Sequence, residues 1–149
     1  MLANVKRRGE SGAMLMIDMD HFKTINDTYG HLTGDRALLE TACRLRENVR
    51  AGEYITRLGG DEFAVFAPAI DREGSLEMFV ARMCKALAFE LEIDGVTHMA
   101  SSSIGIACYP DDGLSIDQLL ARSDHALYAA KAAGRGTFCF YRQPNPTLN

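Results

Sequence analysis

Residues 54–67 read YITRLGGDEFAVFA, two strand-like runs, YITRL (54–58) and EFAVFA (62–67), joined by Gly59, Gly60 and Asp61. Aromatic and β-branched residues on either side of a glycine pair predict a β-hairpin. The glycines let the backbone turn tightly and approach a ligand without interference from a Cβ. Asp61 and Glu62 project from the turn, where a hard cation could use their oxygens. Taken alone, a Gly-Gly-Asp turn is also an ordinary hairpin turn. A second acidic cluster, MIDMDHFKTINDTYGH at 16–31, shifts the balance, because it too places acids at the end of a hydrophobic strand.

Outward from this hairpin, residues 13–18 (AMLMID) read as a short buried strand ending in Asp18. DHFKTINDTYG then predicts a short helix, with Asp20 as N-cap and Gly30 as its stop. Leu38, Leu39, Ala42, Leu45 and Val49 recur at helical spacing between Gly34 and Arg50. Leu76, Phe79, Val80, Met83 and Leu87 predict another helix over residues 74–88. Residues 89–94 and 97–108 predict a second hairpin turning near Asp94-Gly95. Ser115 would cap a helix running to about Ala133, and TFCFY (137–141) would be a final edge strand. The polar, proline-containing QPNPTLN (143–149) reads as a tail or linker after a domain spanning 1–142. This order, β-α-α-β-β-α-β-β-α-β, predicts an α+β fold with a central, mostly antiparallel sheet flanked by helices. It also predicts that Asp18 and Asp61 lie at adjacent strand ends.

The chain has 149 residues, 47% of them hydrophobic, which suits one domain with a sizeable core. A net charge of −4 offers no basic field for a nucleic acid polymer, so a nucleotide would need local cations or metal ions. Cys43, Cys84, Cys108 and Cys139 are scattered without a CxxC pair, which argues against zinc or a disulfide framework and for a reduced, cytoplasmic compartment. Apolar runs are far below a membrane span, and MLANVKRRGESG leads into no apolar signal region. Membrane attachment is expected only through further domains. The four histidines show no ligand spacing, Met14, Met16 and Met19 read as core, and Asp20 and Asp27 read as caps or helix-surface acids.

The sequence resembles the GGDEF family, the catalytic domain of diguanylate cyclases, over most of its length. The pattern D-x-D-x-F-K-x-I-N-D-x-Y-G-H-x-x-G-D runs intact from Asp18 to Asp35, and GGDEF itself occupies Gly59 to Phe63. AKAAGRG (130–136) is similar to the family's A-K-x-x-G-R-N, and SIGIA (103–107) to its late core strand. The resemblance implies a palm-like nucleotidyl-cyclase fold and the condensation of two GTP molecules into cyclic di-GMP and pyrophosphate. It implies that Asp18, the Met19 carbonyl and Asp61 hold Mg²⁺ or Mn²⁺, with Glu62 assisting deprotonation of the 3′-hydroxyl or binding a second ion. Asn26 and Asp35 would read guanine, and a carboxylate at Asp35 would disfavour adenine. Lys23, Lys131 and Arg135 would neutralise phosphates, helped by backbone N–H groups at His21 and Phe22 and by the open turn at Gly59 and Gly60. Lys131 and Arg135 are also favoured near a helix C-terminus by its dipole alone. With one guanine pocket per domain, turnover is expected to require a homodimer.

Two rival functions stand beside the cyclase. One is a catalytically silent GTP-binding module that regulates a neighbouring domain, and the other is a different metal-dependent nucleotidyl transferase. The intact Asp61-Glu62 pair favours the enzyme. The chain lacks the family's L-T-G-L-x-N-R segment before the first strand. FYRQPNPTLN resembles the boundary that precedes an EAL phosphodiesterase domain, so a longer parent protein is expected. Many relatives carry R-x-x-D five residues before GGDEF and bind cyclic di-GMP there; Arg50-Ala51-Gly52-Glu53 gives R-x-x-E instead. A weakened product-inhibition site at Arg50 and Glu53 is the expectation, against the alternative of a plain surface ion pair.

Overall fold

The computed structural model describes residues 2–70 and 74–142. Twelve elements follow in order: α1 (Leu2–Arg8), β1 (Gly12–Met19), α2 (Phe22–Tyr29), α3 (His31–Asn48), β2 (Tyr54–Gly59), β3 (Glu62–Pro68), α4 (Ser75–Ala86), β4 (Phe89–Ile93), β5 (Val96–Ala100), β6 (Ser102–Tyr109), α5 (Ile116–Ala132) and β7 (Phe138–Phe140). Five strands form one sheet in the order β2-β3-β1-β6-β7, and β4-β5 form a separate ribbon. Every pairing is antiparallel except β6 with β7. The expected α+β fold, a mostly antiparallel sheet flanked by helices, is the fold observed.

The near-continuous apolar run of β1 explains its central place, since a strand covered by helices on both faces cannot alternate with polar residues. All eight residues of β1 are buried. Odd positions Ala13, Leu15, Ile17 and Met19 join the core made with α3, α4 and the β4-β5 ribbon. Met14, on the even face, packs with α1 and with Leu119 of α5. Leu15, Ile17, Val65, Ile104 and Ile106 are completely buried, each contributing roughly 1.5–3 kcal/mol relative to exposure. Asp18 therefore emerges from the strand on the face that α5 covers.

Three expectations are corrected. Helix α1 was not anticipated, because seven residues are too few to show a helical period; Leu2 and Val5 bury one side of it against Met14 and Phe66. Residues 97–108 are not one hairpin arm. The run divides at Ser101: β5 pairs only with β4, and β6 crosses into the main sheet beside β1. Burial separates the two pieces, since β5 is largely exposed whereas β6 is buried up to Tyr109. Asp20 does not cap α2; the N-cap is His21, in the left-handed region at φ 58°, with no side-chain cap. Gly30 ends α2 and Ser115 caps α5, accepting from the Gln118 N–H, both as expected. The expected tail at 143–149 lies outside the described residues.

Candidate functional site

The site assembles at one end of the central strands. Asp18 and Glu62 are partners in the β1–β3 register, and the Met19 N–H donates to the Asp61 carbonyl at 3.4 Å. The turn before Glu62 depends on its glycines: Gly59 has φ 147° and Gly60 φ 48°, and the register shifts between Arg57 and Gly59. Arg57 fastens this turn, donating from Nε and Nη2 to the Gly60 carbonyl at 3.0 and 2.7 Å. Asp61 is half-buried and Glu62 exposed.

Asp18 is the unusual acid. It is 6% exposed, and its Oδ1 is buried without a hydrogen-bond partner. Lys131, in the last turn of α5, pairs with Oδ2. Burial above all, and then the Asp61 carboxyl, push Asp18 up to about 7, while Lys131 opposes the shift. An unsatisfied carboxylate oxygen near a second acid that raises its pKa suits a hard divalent cation, so Asp18 and Asp61 fit such an ion. Among the described residues no group of three or more His, Cys, Asp or Glu side chains is gathered to hold a metal. The acidic side chains at this strand end are Asp18, Asp61 and Glu62, with Met19 the residue that adjoins them in β1.

A close helix–helix approach sets Asn26 of α2 against Gly34 of α3, the residue before Asp35. Asn26 lies so tightly over Gly34 of α3 that a Cβ there would collide with its Oδ1 and come within 2.8 Å of its Cγ. That Oδ1 is also buried without a partner. Asp35, the next residue, lines a cavity of about 690 Å³ with Leu38, Ala42, Ile55 and Phe63. Gly34 was not anticipated, although a glycine inside a helix costs about 1 kcal/mol against alanine and so hints at a close approach.

The N-terminus of α2, at His21, Phe22 and Lys23, carries no side-chain cap, which leaves its first N–H groups for an anion. Lys23 is exposed and Lys131 half-buried; Arg135 is exposed in the turn after α5 with φ 64°. Asp20, expected as a cap or surface acid, is instead 5% exposed and accepts hydrogen bonds from Ser101, Ser103 and the Gly136 N–H. Sequence periodicity carries no signal for this cluster, since its partners lie more than 80 residues away. Arg50 and Glu53 sit apart, lining a cavity of about 730 Å³ with Arg82, Met78 and Phe79. There the Glu53 carboxylate accepts the Arg50 backbone N–H at 3.0 Å.

The family model for "Diguanylate cyclase, GGDEF domain" matches residues 1–137. An uncharacterized signaling protein of Caulobacter vibrioides is 44% identical over 93% of this chain and 17% of its own length. The bifunctional diguanylate cyclase/cyclic di-GMP phosphodiesterase MucR of Pseudomonas aeruginosa is 41% identical over 87% of this chain and 19% of its own length. The chain therefore spans less than a fifth of either relative. Among solved structures, the isolated GGDEF domain of PA1120 (TpbB or YfiN) from Pseudomonas aeruginosa superposes with a TM-score of 0.90 at 34% identity, covering 99% of this chain and 86% of that one.

Proposed function

This chain belongs to the GGDEF family of diguanylate cyclase domains, and from that premise we propose that it is an active cyclase that condenses two GTP molecules into cyclic di-GMP. The observation that carries the reading is Asp18: Lys131 meets its Oδ2, while its Oδ1 is buried beside Asp61 without a partner, an oxygen that a divalent cation would satisfy.

In each half-reaction the 3′-oxygen of one GTP attacks the α-phosphorus of the other. An O–P bond forms, the bridge to the β-phosphate breaks, and pyrophosphate leaves; two such steps close the ring and release two pyrophosphates. Asp18, Asp61 and the Met19 carbonyl would hold Mg²⁺ or Mn²⁺, which when bound supplies charge neutralisation at the phosphates. Glu62, exposed beside this pair, receives the 3′-hydroxyl proton or helps to hold a second ion. Asp35 accepts from guanine N1–H and N2–H₂, and the unpartnered Asn26 oxygen and its amide complete the base edge. Lys131 exchanges Asp18 for a phosphate, joined by Lys23, Arg135 and the N–H groups at His21 and Phe22. Gly59 and Gly60 keep the turn open to the triphosphate. Because each domain offers one such set, two copies meet face to face, each presenting one GTP.

A second reading, a silent GTP-binding module controlling a neighbouring EAL domain, draws on the small share of its relatives that this chain spans and on the bifunctional MucR. In either case Glu53, engaged with the Arg50 backbone, is poorly placed to accept a guanine N–H, and product inhibition through Arg50 is weak. The discriminating variant is Asp61→Ala in the dimeric protein. It should fold, because a turn acid is not core, and lose at least about 100-fold in cyclic di-GMP synthesis. Undiminished synthesis would remove Asp61 from the reaction.

A further inference from the structure

Asp20 has no part in the mechanism above, yet it is more thoroughly hydrogen-bonded than any acid assigned to it. Ser103 Oγ donates to its Oδ1 at 2.6 Å; Ser101 Oγ and the Gly136 N–H donate to its Oδ2 at 2.6 and 2.8 Å. Its own backbone N–H donates to the Ser101 carbonyl at 2.9 Å. One carboxylate thus joins the end of β1, the β5–β6 junction and the turn that follows α5. That turn is not one the chain adopts freely: Gly134, Arg135 and Gly136 have φ of 117°, 64° and 60°. Arg135 is a non-glycine residue in the left-handed region, a conformation that persists only where its surroundings impose it. Gly136 is held from both sides, its N–H by Asp20 and its carbonyl by the Cys84 thiol at 3.5 Å.

The same two elements are linked a second time, through Lys131 and Asp18. Under the proposed function that link is temporary, because substrate phosphate draws Lys131 away and a cation takes its place on Asp18. The Asp20 link uses no group that substrate claims. We infer that Asp20 is a positioning residue: it fixes the 134–136 turn, and with it the Arg135 guanidinium, relative to the Asp18–Asp61 pair while Lys131 changes partners. The inference rests on the reading of Lys131 and Arg135 as phosphate ligands and adds the part that keeps them in register. It predicts an effect confined to the phosphate end of the nucleotide, since Asn26 and Asp35 stand on α2 and α3.

The test compares GTP binding by calorimetry with guanosine binding by NMR titration, using the full chain with Mg²⁺. Asp20→Ala should weaken GTP at least tenfold and leave guanosine within twofold. Asp20→Asn keeps an oxygen for the Gly136 N–H and an amide for a serine hydroxyl, and should restore most of the loss. Adding Arg135→Ala to Asp20→Ala should cost little more, because the guanidinium is already misplaced. Should Asp20→Ala fail to fold, Ser101→Ala removes one donor and should show the same selectivity at a smaller amplitude. Unchanged GTP affinity, equal losses for GTP and guanosine, or independent effects of Asp20→Ala and Arg135→Ala would each overturn the inference. Wild-type protein that binds neither ligand would overturn the functional reading, and this role with it.

Discussion

Asp18 makes the folded protein sensitive to pH in a direction opposite to that of most carboxylates. Its pKa rises from 3.8 to about 7 in the folded state, chiefly through burial. Between those values the folded chain holds a proton that the unfolded chain has released, so the associated stability is complete below about 3.8 and is lost progressively as pH rises to about 7. Without divalent ions, the wild-type Tm should fall between mildly acid and mildly basic pH by on the order of 5 °C more than that of Asp18→Asn. Parallel pH profiles would mean that Asp18 ionises normally. At Arg50 and Glu53, binding should be weak when cyclic di-GMP is titrated in without turnover; tight binding abolished by Arg50→Ala would show that glutamate suffices there. The adjacency of Asp18 and Asp61-Glu62 was legible because each acidic cluster bounds an apolar strand-like run, and β1 and β3 pair so that those ends meet. Asp20 was not, because the local pattern of an acid before a helix is the same whether it caps the helix or turns inward to distant serines.

Among the elements, the contact between β6 and α5 fixes where Lys131 can reach. Gly105 of β6 faces the backbone of α5 so closely that an added Cβ would meet the Ser123 carbonyl and the Leu127 N–H, with Leu127 Cα at 2.7 Å. Neither atom can move aside as a side-chain tip could. Gly105→Ala should therefore destabilise the domain by roughly 1–3 kcal/mol or more in urea unfolding, and neutrality would mean that α5 is not seated as described. The hairpin at Gly59-Gly60 and helices α2 to α5 were legible because turn glycines and helical periods are local signals. The division of residues 97–108 at Ser101 was not: β5 and β6 are both strand-like, and only tertiary pairing sends one to the ribbon and the other beside β1. Helix α1 buries two apolar positions, Leu2 and Val5, too few for a period to register.

At the scale of the whole molecule, the proposed function gives one domain a single acid pair, a single guanine-reading pair and a single phosphate-binding set, while its product contains two nucleotides. No helix among the described residues is long and apolar enough to cross a membrane. Under the proposed function turnover depends on the meeting of two copies, and specific activity should rise with protein concentration until the dimer saturates. The most direct measurement is to incubate the chain with GTP and Mg²⁺ or Mn²⁺ across a concentration series and resolve the products by chromatography. Cyclic di-GMP with two equivalents of pyrophosphate is expected, formed at a specific rate that climbs with protein concentration and is abolished by Asp61→Ala. GTP bound but unconsumed at every concentration would contradict it and leave a silent nucleotide-binding module.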